Sequence, residues 1–387
     1  MTTMIGPFTI DTYLPSFPAI EAEFGISRAL LSQSLAFYLA AFALSTLILG
    51  PLADRLGRRR VILGSLLFYI VASLGCALAD SYSHFLFFRL MQGVAAGGGL
   101  AAGRAMIRDV YNPQDAQRAM SQVMMLFAIA PAIAPVIGGW LHDLWGWHSV
   151  FYFLALYSGL VFLLMLFAIP ETLAPALRQS FHPASVARVY GRALVHRRFL
   201  SLVFIVSCYF GGMFLYIAGA PTVIFDFMQL QSDDFAVMFV PMVVGMISGA
   251  WLSGRLAHRW PAERTVKLAL TLMALGAVLN VAQSFWLPVM VVTTITPLML
   301  YTCGIGIAMP AMTVMSLDCF PLNRGSASAV HGFVQMLGNA AIASMVVPLL
   351  SGLPSHLALG QLALMVVALL LWRSTPAAQA ESPPRGV

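Results

Sequence analysis

Asp11 and Arg89 each stand inside a long apolar block, where an ionisable side chain is expensive. At mid-bilayer such a group costs at least about 2.5 kcal/mol unless it is paired or faces a wet cavity, so handling a proton or a ligand is its default role. Asp11 opens the run Asp11-Thr12-Tyr13-Leu14-Pro15, and Arg89 opens Arg89-Leu90-Met91-Gln92-Gly93. Ten residues precede Asp11. At a helical rise of roughly 1.5 Å they place it about 15 Å into a hydrocarbon layer about 30 Å thick. Arg89 is the natural partner of that carboxylate, and Gln92 lies one turn further along the same face. Plainer roles compete: Asp11 as an interfacial carboxylate, Arg89 as a cation snorkelling to the membrane surface. Arg104 and Arg108, further along the same block, read as snorkelling.

Three other stretches carry unusual residue types. Gly50-Pro51-Leu52-Ala53-Asp54-Arg55-Leu56-Gly57-Arg58-Arg59-Arg60 combines glycines that permit a tight turn with an acid and several bases. Asp54 is placed to accept bonds from a neighbouring helix N-terminus, and Arg58 to pair with a carboxylate such as Asp109; a merely solvated basic loop would need neither Asp54 nor the glycines. The block around 130–139 holds Ala130, Pro131, Ala134, Pro135, Gly138 and Gly139, which favours close helix approach and kinking. His331, Gln335 and Asn339 recur every four residues as a polar stripe, which either lines a cavity or bonds to another helix. Tyr209, Phe210, Phe214 and Tyr216, with Met124 and Met125, offer an adaptable apolar surface or ordinary packing.

The elements that hold these residues are set by composition. The 387 residues are 60% hydrophobic and 9% charged, against roughly 25% charged in a soluble domain. The apolar blocks reach spanning length and lack the alternation of barrel strands, so the expectation is an all-α membrane protein. Spans are expected near 4–20, 29–52, 61–79, 84–107, 119–141, 148–170, 200–225, 235–257, 266–284, 287–316, 326–350 and 356–373, twelve in all. The first is interrupted by Pro7, Pro15 and Pro18 and is short before Asp11, which points to a start codon placed too late or a truncated helix. It has no charged leader and cleavage site, and is not a signal peptide.

Positive charge fills alternate loops: Arg55 and Arg58 to Arg60; Arg108 and Arg118; Arg178, Arg188, Arg192, Arg197 and Arg198; Arg259, Arg264 and Lys267; and Arg324. The opposite loops contain Arg28 alone. The positive-inside rule then puts both termini in the cytoplasm. The chain divides into a six-helix bundle over 1–170, a cytoplasmic linker over 171–199, a second bundle over 200–373 and a disordered tail over 374–387. Gly50-Pro51-Leu52-Ala53-Asp54-Arg55 is echoed by Gly254-Arg255-Leu256-Ala257-His258-Arg259, and the stretch from Arg108 by the one from Leu317, as expected of two parallel repeats.

The Asp-x-Tyr-Leu-Pro start, the 50–60 stretch, Arg89 to Gly93, Arg108-Asp109, Ala-Pro-Val-Ile-Gly-Gly at 134–139 and Pro170-Glu171-Thr172-Leu173 follow in order along one chain. Together they resemble the Bcr/CflA group of drug and proton antiporters in the major facilitator superfamily. The resemblance implies the major facilitator fold of twelve transmembrane helices and rocker-switch alternating access in a bacterial inner membrane. It implies that Asp11 exchanges proton and substrate, with Tyr13, Arg89 and Gln92 beside it. It also implies that Gly50, Asp54, Arg55, Gly57, Arg58 and Asp109 form a cytoplasmic gate, and that Pro131, Pro135, Gly138 and Gly139 form the antiporter motif, with Ala134 in place of its first glycine. The cargo would be a small lipophilic or cationic compound, the drive the proton gradient, and the working unit a monomer in lipid.

The alternatives are a metabolite or nutrient porter of the same fold, and a transport-inactive membrane sensor or scaffold. The first needs more polar groups converging on a cavity, and the second gains nothing from a buried charge pair. Lys267 is the only lysine and follows Val266, so no Walker A sequence exists. No HExxH, GxSxG or CxxC arrangement is present, so neither enzyme chemistry, cofactor nor metal is expected. Cys76, Cys208, Cys303 and Cys319 are scattered as packing residues. The net charge of +6 is topological, with no basic stripe for nucleic acid.

Overall fold

Prolines decide where the first span breaks. In this computed structural model α1 is two short helices, Ile5–Asp11 and Phe17–Phe24, joined by the 3-10 turn Leu14–Ser16. Pro15 and Pro18 each stand in the first turn of the segment they open, where a missing N–H costs nothing. Instead of one span over 4–20, the chain thus makes a jointed one with Asp11 and Tyr13 at the joint. Residues 2–110, 113–173, 190–257, 259–320 and 324–376 are described. Within them, the side chains of residues 3, 100, 101, 104, 108, 113–122, 124–128 and 324–326 lie outside the description. Expectations placed on Arg104, Arg108, Met124, Met125, Arg178, Arg188, Arg324 and the far tail therefore fall outside the described residues.

Five more helices follow: α2 at Arg28–Leu56, α3 at Arg58–Ala77, α4 at Tyr82–Val110, α5 at Pro113–Trp145 and α6 at His148–Ala168. Beyond a connector, α7 covers Arg197–Ala218 with a π-helical extension over Thr222–Phe227, α8 Ala236–Leu256, α9 Ala262–Trp286 and α10 Val291–Leu317. α11 runs Arg324–Ala341, then through the π segment Ile342–Val346 to Val347–Leu350, and α12 is Pro354–Ser374. Among the described residues no strand occurs. Nine of the described helices are long and apolar enough to cross a bilayer. On α6 the large residues Leu156, Leu160, Leu163, Leu164 and Phe167 face outward. Such a row is stable only against lipid.

Packing repeats with a shift of six. α2 lies on α4, α3 on α4 and α6, and α1 on α5 and α6. Correspondingly α8 lies on α10, α9 on α10 and α12, and α7 on α11 and α12. The two sixes meet along α2 with α11 and, by the same shift, α5 with α8. This is a twelve-helix membrane fold of two parallel six-helix repeats. Below, the end of the molecule holding the α2–α3 turn is called the basic end, and the other the far end.

Candidate transport site

The joint in α1 delivers Asp11 and Tyr13 to the interior, where they are 2% and 0% exposed, beside Arg89 at 0%. Arg89 does not bond to Asp11. Among the described residues no ion pair joins them, and Asp11 Oδ1 has no hydrogen-bond partner. Arg89 instead lies over aromatic faces, with Cζ 4.2 Å from the Tyr13 ring centre and 4.9 Å from that of Tyr38 on α2. One guanidinium nitrogen donates to Gln92 Oε1 at 2.9 Å and reaches the Thr9 carbonyl at 3.4 Å. The guanidinium is met by two ring quadrupoles and not by the neighbouring carboxyl.

A polar shell fixes this arrangement. Gln92 Nε2 donates to Ser73 Oγ at 2.8 Å, and Cys76 Sγ lies 3.7 Å from Gln92 Oε1. The Tyr13 hydroxyl is 3.3 Å from Ser34 Oγ, and Thr9 bonds the Tyr69 hydroxyl. Four helices, α1 to α4, thus share one knot, with Phe151 of α6 closing it from the side.

The 50–60 stretch is not a loop. Gly50 to Leu56 are the last turns of α2, Pro51 included, and Gly57 alone breaks the helix with φ of +108°. A side chain at Gly57 would run into the Glu171 carboxylate as well as straining the backbone. Arg58 pairs with both Asp54 and Asp109, the latter at 3.2 Å. Among the described residues Asp54 bonds Arg58, and the N-terminus of α3 is met by Glu171, which accepts from the backbone N–H of Arg58 at 2.9 Å and also from that of Leu173 at 3.2 Å. Arg59 returns the favour by donating to the Leu166 carbonyl in the last turn of α6 at 2.6 Å. Each helix end meets the charge its dipole favours. Arg55 is exposed.

Pro131 and Pro135 lie inside α5, and Gly138 and Gly139 are its contact points. A Cβ on Gly138 would strike the Thr12 carbonyl in the joint of α1. One on Gly139 would strike the Ser232 backbone, ahead of α8. At the same far end Ser232 donates to Asp143 Oδ1 at 2.5 Å, and Arg28 binds both Glu21, at 2.8 Å, and Asp226. The first six helices are therefore fastened to the last six at the far end.

The model of the Major Facilitator Superfamily matches residues 1–343. The chain belongs to the major facilitator superfamily. It is 27% identical over 353 residues to the bicyclomycin resistance protein homolog of Haemophilus influenzae, covering 89% of this chain and 86% of that one. It is 29% identical over 345 residues to the multidrug resistance protein MdtL of Klebsiella pneumoniae, covering 87% and 84%. The crystal structure of a D-xylose–proton symporter superposes with a TM-score of 0.71 at 17% identity, covering 97% and 96%, and shares the fold. This facilitator is thus a multi-pass bacterial inner-membrane transporter and not an enzyme.

Among the described residues, the buried polar side chains in the second six helices of this facilitator include no Asp, Glu, Lys or Arg. Asn280 donates to the Tyr216 hydroxyl at 2.6 Å and to Gln361 Oε1 at 2.8 Å, and accepts from Gln283 at 3.1 Å. The Tyr301 hydroxyl donates to the Tyr209 carbonyl at 2.8 Å. This knot joins α7, α9, α10 and α12, the helices that correspond by the shift of six to α1, α3, α4 and α6. Of the α11 stripe, His331 bonds Ser316 of α10 at 3.2 Å, while Gln335 and Asn339 are buried and Asn339 Oδ1 has no partner among the described residues. The bonding of Tyr216 and His331 is helix to helix. Sequence reasoning missed Asn280 and Gln361, although a lone carboxamide in an apolar block is the same costly signal that picked out Asp11.

Proposed function

We propose that this transporter exports small lipophilic compounds in exchange for protons by alternating access. The observation that carries the reading is the membrane-buried Asp11 carboxyl, whose Oδ1 has no partner among the described residues although a guanidinium lies in the same knot. A structural carboxylate would be paired, whereas one that must alternate between proton and cargo needs an unclaimed oxygen. The names of the bicyclomycin and multidrug relatives support export of drug-like cargo. Loop charge supports a cytoplasmic basic end and cytoplasmic termini. The far-end fastenings support a resting state closed to the outside. A proton moving inward releases about 2.3 kcal/mol per 100 mV, enough to drive export against a gradient.

The test is proton release from everted, respiring vesicles on addition of a panel of lipophilic drugs, with the native chain and with Asp11→Asn. Discharge of the pH gradient by a drug with Asp11 alone supports antiport. Equal discharge with both chains removes Asp11 from the mechanism. A second reading, a metabolite porter, draws on the Tyr216–Asn280–Gln361 knot as a source of directional partners. It predicts no response to drugs and uptake of a polar solute that Asn280→Leu abolishes.

A further inference from the structure

Proline inside a helix removes an N–H and leaves the carbonyl four residues earlier without its partner. Pro51 lies inside α2, so the carbonyl it strands is that of Leu47. That carbonyl accepts a hydrogen bond at 3.1 Å from the hydroxyl of Tyr190. Tyr190 lies in helical backbone described over 190–195 in the connector between α6 and α7. Its ring packs on a small apolar cluster distinct from the main core, made of Ala193, Phe199, Val203, Ala327 and Val330, with Leu317 and Phe320 at its margin. Every member lies in the connector, α7, α10, α11 or the residues that join them. The ring of Tyr190 is thus rooted in the second six helices while its hydroxyl holds α2 of the first.

We propose that Tyr190 is a positioning residue of the transport cycle, a strap that binds the Pro51-stranded carbonyl and biases the transporter toward the far-end-closed state. The bond is specific to this pairing. Most helix carbonyls are already taken by the N–H four residues on, and the proline frees one at the place where the connector passes. The phenol is half-buried, and burial, with a smaller push from the Asp54 carboxylate, holds it above its usual range. It remains a donor at physiological pH. The Arg28–Asp226 pair fastens the far end, and the strap acts at the basic end, so both favour one arrangement of the two sixes.

The experiment is a double-mutant cycle on the full chain in membranes. It rests on the alternating-access part of the proposed function and needs neither cargo nor a proton gradient, so a failure of antiport leaves it readable. With the four cysteines replaced by alanine, Thr222→Cys reports opening of the far end, because Thr222 is buried there beside Arg28. The readout is the labelling rate with a membrane-impermeant maleimide. Tyr190→Phe, which keeps the ring and removes the donor, is expected to speed labelling roughly three- to tenfold, the effect of losing one net hydrogen bond. Pro51→Ala restores the backbone donor to Leu47, so adding Tyr190→Phe to Pro51→Ala should change the rate less than about twofold. Thermal unfolding in detergent checks that each variant is folded. No change with Tyr190→Phe alone overturns the proposal. An equal change with and without Pro51→Ala also overturns it, since the hydroxyl would then be acting elsewhere than on the stranded carbonyl.

Discussion

Arg89 shows how a cation can be kept in a membrane interior without an anion. Its guanidinium rests on the Tyr13 and Tyr38 rings, and each such contact is worth about 0.5–2 kcal/mol. Tyr38→Phe should therefore unfold in detergent within a degree or two of the native chain. Tyr38→Leu, with no ring, should unfold several degrees lower and transport more slowly. Asn280→Leu strands the Tyr216 hydroxyl and the Gln361 carbonyl together, at roughly 1–2 kcal/mol each, and should lower the melting point further. Asp11, Tyr13, Arg89 and Gln92 could be singled out beforehand because a charge in an apolar block is conspicuous. Tyr38, Tyr69 and Ser73 could not, since nothing in an apolar helix distinguishes a tyrosine that faces a guanidinium from one that packs. The absence of the expected Asp11–Arg89 pair has the same origin: proximity was inferable, but the competing ring faces were not.

At the scale of elements, span number and order follow from the apolar blocks, while the ends of helices follow from tertiary partners. The α2–α3 corner is the clearest case. Its glycines and charges announced a turn, yet the capping acid is Glu171, more than a hundred residues away and marked only as part of a familiar run. Gly57→Ala should cost about 1–3 kcal/mol through positive φ, and more from the clash with Glu171. Gly25→Ala, with φ of +61° and nothing within 4 Å, should cost about 1 kcal/mol. Comparing the two melting points isolates the corner's contribution. At the far end, Arg28 and Asp226 are a quarter and a half exposed, so their pair is worth about 0.2–1 kcal/mol. Neutralising either should speed maleimide labelling of Thr222→Cys by no more than about fivefold. The paired reversal Arg28→Glu with Asp226→Arg should return the rate toward the native one.

For the molecule as a whole, the shift-of-six packing places a charged knot in the first six helices and a neutral one at the corresponding place in the second. On the proposed antiport reading, proton handling and cargo selection are then separable. If cargo and proton compete for the one carboxyl, as proposed, equilibrium cargo binding measured without a gradient should tighten as pH rises. Asp11→Asn should bind cargo with no such dependence. A flat profile in the native chain would remove the competition. The repeat itself was visible in short echoes such as Gly-x-Leu-Ala-x-Arg. The difference in charge between the two knots was not, because it depends on which polar residues of distant helices meet.

The jointed α1 bears on how the protein is made. Its pieces of 7 and 8 residues are about 10–12 Å long, far short of the roughly 30 Å hydrocarbon layer. Its side chains from Ile5 to Phe17 are almost all turned toward other helices. The segment carries Asp11, Glu21, Glu23, several hydroxyls and three prolines, and lipid will not take such a stretch alone. α1 becomes stable in the bilayer once α5 and α6, which cover it, have been synthesised. The jointed segment is thus among the later ones to settle, and the knot around Asp11 is complete only when the helices that cover it are in place.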